Sequence, residues 1–101
     1  MAAAEITPTM VSKTYNVAIG STGTAIRTVE YLVKLTKATQ ADWFVAATYT
    51  PGTFLGATSY IVDSSGDGVT DTTTYAATGT KLVLAGTTVG TAYIKVLCQV
   101  A

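Results

Sequence analysis

Histidine is absent from the 101-residue chain, cysteine occurs once and proline twice. Without histidine, the commonest general base and neutral metal ligand is missing. The lone Cys98 forms no internal disulfide, so nothing in the sequence calls for an oxidising compartment. Charge is scarce: 12% of residues are Asp, Glu, Lys or Arg, against about 25% in an average domain. The six basic residues, Lys13, Arg27, Lys34, Lys37, Lys81 and Lys95, are scattered and are balanced by six acidic ones. No basic stripe exists to neutralise a row of phosphates, which argues against nucleic acid as a partner. No apolar run approaches the ~18 residues that a membrane-spanning helix needs, so no membrane partner is expected. The opening residues, Met1–Pro8, lack the charged and apolar regions of a secretory signal. The expectation is a chain made and kept in the cytoplasm, or a mature segment with an added start methionine.

What is present points to strands. Hydrophobic residues make up 49% of the chain, and roughly a fifth of it is threonine. Threonine is β-branched, stiff at χ1 and suited to a pleated, half-wet surface. The polar surface is therefore neutral and hydrogen-bonding. Zero formal net charge leaves little repulsion between copies, so association is tolerated or intended. The length fits one domain, and a domain of this size buries about two-thirds of the surface its unfolded chain exposes.

Residues 1–9 read as an extended N-terminal arm, Ala-rich and interrupted by Pro8, either disordered or lying on a neighbouring subunit. Residues 10–101 read as one domain. From Met10 to Ile19, Val11, Tyr15, Val17 and Ile19 alternate with polar residues, a period of two. Gly20–Gly23 is a turn by composition. Over 24–37, Val29, Tyr31, Val33 and Leu35 share one face, while Leu32 interrupts the alternation and suggests two-sided burial or a bulge. Residues 42–50 read as a strand, with a helix over 38–47 as the competing reading. Thr50-Pro51-Gly52-Thr53 is a turn. Strands follow at 54–62, 72–76, 80–85 and 91–100, with 63–71 as one long polar loop. In the last strand Ile94, Val96, Cys98 and Val100 share a face. Six to eight short strands between Gly-bearing turns predict an all-β fold, an antiparallel β-sandwich or small barrel.

Catalytic chemistry finds little to work with. Cys98 lies on the apolar face of its strand and reads as a small buried hydrophobe. Lys95, three residues away, faces the opposite side and does not activate it. Glu5, Glu30 and Asp42 are isolated in the sequence, and no pair of carboxylates is marked for acid–base work. Nucleophile-elbow, P-loop and dinucleotide fingerprints are missing. The expectation is that the protein is not an enzyme.

One segment carries ligand chemistry. Asp63-Ser64-Ser65-Gly66-Asp67-Gly68-Val69-Thr70-Asp71 resembles the calcium loops of EF-hand, dockerin and thrombospondin type 3 repeats, which run D-x-D-x-D-G-x-x-D. Calcium takes six to eight hard oxygens, and a glycine at the sixth position permits the sharp bend. The resemblance implies Asp63, Ser65, Asp67, the carbonyl of Val69, and Asp71 as ligands, with Gly68 at the bend. Ser65 is a weaker donor than the usual Asp or Asn. Thr74 stands where the bidentate glutamate belongs, so any calcium site is weak or borrows a ligand. The alternative is an ordinary turn, since Asp, Ser and Gly are turn residues.

Six tyrosines, Tyr15, Tyr31, Tyr49, Tyr60, Tyr75 and Tyr93, are spread along the chain. Core and edge packing accounts for most of them, and an interface would use the rest. Trp43 or Tyr49, if exposed, would offer a carbohydrate platform. The closing segment, Thr80-Lys-Leu-Val-Leu-Ala-Gly-Thr-Thr-Val-Gly-Thr-Ala-Tyr-Ile-Lys-Val, looks like the last hairpin of small virion proteins. The texture of the chain is similar to head-decoration and minor capsid proteins of tailed phages and archaeal viruses. That resemblance implies a structural protein made in the host cytoplasm and bound in many copies to a capsid lattice or to itself as a homo-oligomer. The alternative is a surface or secreted β-sandwich module, such as a filament subunit or a calcium-dependent adhesion domain.

Overall fold

Alternating side chains sort the strands onto two sheets. The computed structural model describes residues 2–19, 25–75 and 81–100. The elements are β1 (Thr9–Ile19), β2 (Ala25–Lys37), β3 (Trp43–Phe44), the single helical turn α1 (Ala46–Tyr49), β4 (Thr53–Val62), β5 (Gly68–Asp71), β6 (Thr73–Tyr75), β7 (Leu82–Leu84) and β8 (Gly90–Val100). Among the described residues, five strands form a large antiparallel sheet in the order β1-β2-β8-β4-β5. The other three form a small antiparallel sheet, β3-β7-β6. Among the described residues neither sheet closes on itself, so the fold is a sandwich of unequal layers rather than a closed barrel.

The core lies between the layers. From the large sheet it takes Val29, Tyr31, Val33 and Leu35 of β2, Ile61 of β4, and Ala92, Ile94, Val96 and Cys98 of β8. From the small layer it takes Phe44, Ala46, Leu82 and Leu84. Each large apolar side chain buried here contributes roughly 1.5–3 kcal/mol. The pairing Val29↔Cys98, Tyr31↔Val96, Val33↔Ile94 keeps the inward sets of β2 and β8 opposite one another. A one-residue slip of either strand would turn its inward set to solvent. The irregularity expected at Leu32 is real but sits in the facing strand: the ladder skips between Met10 and Ser12, opposite Val33 and Leu32. Leu32 itself is half-buried on the outer face.

Two expectations are corrected. Residues 42–50 form neither one strand nor a helix over 38–47. Trp43 and Phe44 pair with Val83 and Leu82. Their three-residue partner β7 offers no further rungs, and the chain turns through α1 instead. Thr50 closes that turn, donating to the Ala46 carbonyl from its amide at 2.8 Å and its hydroxyl at 2.6 Å. The alternation of Phe44 and Ala46, both fully buried, is genuine, but only Phe44 belongs to the strand. The polar loop expected over 63–71 is shorter: Gly68–Asp71 is β5, paired with Ser59–Val62. The expected turn at 20–23 lies outside the described residues, as does 76–80.

Gly90 joins the turn before β8 to β4. Its φ is +142°, and a Cβ there would collide with the Val62 carbonyl, so both conformation and space require glycine.

The N-terminal arm is extended, and it docks on its own chain. Ile6 donates to the Trp43 carbonyl at 2.8 Å, and Trp43 donates back to Ala4 at 3.1 Å. Glu5 bridges Trp43 in parallel, and Pro8 is buried. The segment thus covers the outer edge of β3, where an open edge would otherwise invite pairing.

Candidate interaction surface

The residues singled out for calcium are divided between two environments. Asp63, Ser65 and Asp67 lie in the β4–β5 turn. There the Asp63 carboxylate accepts the amides of Ser65 at 2.9 Å and Asp67 at 3.0 Å. The Asp63 amide donates to the Asp67 carbonyl, and the Gly66 amide to the Asp63 carbonyl. This is the hydrogen-bond pattern of an Asx-stabilised turn. Val69 sits in the β5 ladder opposite Ile61. Asp71 points to the inner face and is buried, with its carboxylate 2.9 Å from Lys37 Nζ. Among the described residues, no group of three or more His, Cys, Asp or Glu side chains is placed to hold a metal.

Two buried carboxylates organise this end of the sandwich, and neither was legible in the sequence. Lys37 Nζ donates to Asp71 Oδ2 at 2.9 Å and to the Gly86 carbonyl at 2.7 Å. The Gly86 amide donates to Asp71 Oδ1 at 2.8 Å. One ion pair therefore ties β2, β5 and the turn after β7 together, with both groups of the Gly86 residue satisfied. A Cβ on Gly86 would clash with the Asp71 carboxylate. Asp42 accepts from Ala4 on Oδ1 at 3.0 Å, and from Ala38 and Thr39 on Oδ2 at 2.8 and 2.9 Å. Burial pushes this carboxyl upward, but the three amides and the Lys37 ammonium together outweigh burial and hold it below its ordinary value.

The nucleophile candidate is quiet. Cys98 is fully buried, and its thiol reaches the Thr50 carbonyl at 3.5 Å. Burial raises its pKa, which suppresses the thiolate that reactivity needs. Several aromatic residues have partners, while Tyr15, Tyr60 and Tyr75 are exposed. Tyr31 donates to the Pro51 carbonyl at 2.7 Å. Tyr49 packs on Phe44 and Tyr75 on Phe54. Trp43 is half-buried, with Lys81 Nζ 4.5 Å from its ring centroid, so that face is not open as a carbohydrate platform.

The most exposed large apolar side chains lie on β1. Among the described residues it has one neighbour, β2, and its other side is a free edge. By register Lys13, Tyr15 and Val17 share the inner face with Tyr31, Val29 and Arg27. The small sheet does not cover this row. Tyr15 is 66% and Val17 67% exposed, while Val29 beside Tyr15 is 0% exposed. Met10 and Val11 are exposed as well. The outer face of the large sheet is also open. Leu55, Gly56, Ala57, Thr58, Lys95 and Leu97, with Glu30, line a shallow depression of about 260 Å³ there. It lies beside the irregularity of β4 between Phe54 and Gly56.

No protein family, curated protein or solved structure matches the chain. Its own geometry is the ground for a functional reading. Among the described residues, no helix is long and apolar enough to cross a membrane.

Proposed function

We propose that this chain is a non-catalytic structural subunit that acts by binding other protein subunits in many copies, as a decoration or capsid-stabilising protein of a virion does. The observation that carries this reading is β1: an eleven-residue strand whose outer edge is free among the described residues, with exposed Tyr15 and Val17 on the core side of the sheet. Proteins ordinarily blunt such edges with charge, proline or cover, and aromatic groups with one wet end are favoured at interfaces. β1 carries one formal charge, Lys13, and the whole chain is neutral. The buried carboxylates serve the fold, and the one thiol is sealed inside, which supports a role without covalent chemistry. In this reading the protein is made in the host cytoplasm and resides in the virion. The alternative of a calcium-dependent surface module draws less support, because Asp71 is committed to Lys37.

The test is the native mass of the material that contains the chain. On a density gradient of particles from its source, the protein should travel with megadalton assemblies at fixed stoichiometry. Migration only as free protein of about its own 10.4 kDa would refute the reading.

A further inference from the structure

We infer that β1 is a homotypic docking strand: two copies pair antiparallel through Ser12–Ala18 about a two-fold axis beside Tyr15, joining their large sheets into one. This deepens the assembly reading by naming the partner as a second copy of the chain.

Three observations set the register. The break in the ladder between Met10 and Ser12 limits regular pairing to the residues after it, and Ser12–Ala18 is centred on Tyr15. An isologous antiparallel seam sets identical residues opposite one another at its centre, so every facing pair has the same parity and hydrogen-bonds consistently. Charge then chooses among centres. Centring on Lys13 would put two ammonium groups face to face, which is destabilising. Centring on Thr14 would push Val11, at the bulge, into the ladder. Centring on Tyr15 sets Lys13 against the partner's Val17, with the two lysines about 14 Å apart, beyond the ~8–10 Å screening length.

The faces agree with this arrangement. On the inner side, Val29, Tyr15, the partner's Tyr15 and the partner's Val29 form one row across the seam, covering the exposed rings with each other. On the outer side, Thr14 meets the partner's Asn16, a neutral hydrogen-bonding pair. No charge is buried without a partner. A seven-residue seam spans roughly 23 Å and falls at the small end of specific interfaces. The association is therefore weak alone and strengthens where many copies are held on one lattice.

Sedimentation equilibrium of the full chain between about 5 and 500 µM reads this directly. Wild type is expected to follow a monomer–dimer isotherm. Tyr15→Lys and Tyr15→Glu should each weaken it at least tenfold, since each sets like charges at the two-fold. An equimolar mixture of the two should restore dimers. Circular dichroism should match wild type for both, because Tyr15 is exposed in the single chain. A wild type that stays monomeric at 500 µM would overturn the inference. So would Tyr15→Lys associating like wild type, or a mixture no stronger than its components. Dimers without particle association would leave this inference standing and remove the virion reading, and particle-bound monomers would do the reverse.

Discussion

Replacing Lys37 by methionine removes one ammonium group from inside the sandwich while keeping most of the side chain's volume. Lys37 is 1% exposed, and the Asp71 side chain it meets is equally buried. After Lys37→Met the Asp71 carboxylate keeps the Gly86 amide and loses its counter-charge. Breaking a buried pair from one side costs about 3–5 kcal/mol, because an uncompensated charge stays in low dielectric. A domain of this size holds about 5–15 kcal/mol in total, and each kcal/mol moves its melting point by roughly 4–8 °C. The variant should therefore melt at least ~12 °C lower. Lys37→Met combined with Asp71→Leu should recover most of that loss, since replacing both partners by apolar groups is often close to neutral. About 1–2 kcal/mol remains for the abandoned Gly86 amide and carbonyl. Urea and thermal unfolding of the two single variants and the double variant measure the cycle. A Lys37→Met cost under about 1 kcal/mol, or a double variant as weak as the sum of the singles, would refute the reasoning.

Three further outcomes are expected. The Asp42 carboxyl lies below its ordinary value, so its contribution is full above about pH 4 and drains away as pH falls through the folded value. Asp42→Asn should cost about 1–3 kcal/mol at neutral pH and flatten the acid limb of a urea-midpoint profile, and an unchanged limb would contradict the assignment. Cys98 should resist alkylation in the folded protein and react on unfolding in urea, whereas rapid labelling of native protein would show an accessible thiol. Calcium and EDTA should leave the melting point within about 1 °C of each other, because ligand binding to the folded state raises it and Asp71 is unavailable to the turn. A clear rise with calcium would restore the loop as a site.

The sequence was most legible where strands are long and one face is covered. In β2 and β8 the alternation of Val29, Tyr31, Val33 and Leu35, and of Ile94, Val96 and Cys98, names the core because each inward residue meets another layer. It was least legible where a tertiary partner decides. The residues of β5 look like loop because its buried inward side chain is Asp71, a position that requires Lys37 from 34 residues earlier. Nothing local announces that pair. Asp42 looked isolated for the same reason: its partners include Ala4, 38 residues away. Residues 42–50 misled through a real pattern, since Phe44 and Ala46 are both inward but a strand ends between them. In β1 the alternation reveals a strand, while only the three-dimensional arrangement reveals that its core-side row has no cover.

Amide hydrogen exchange across β1 tests the central claim most directly, comparing dilute free chain with the native assembly. Every second amide of Ser12–Ala18 points away from β2 and, among the described residues, has no backbone partner. These should exchange quickly in the dilute protein and at least tenfold more slowly in the assembly, while their neighbours bonded to β2 stay protected in both. Equal exchange of the edge amides in the two states would mean that β1 is not where the subunits meet.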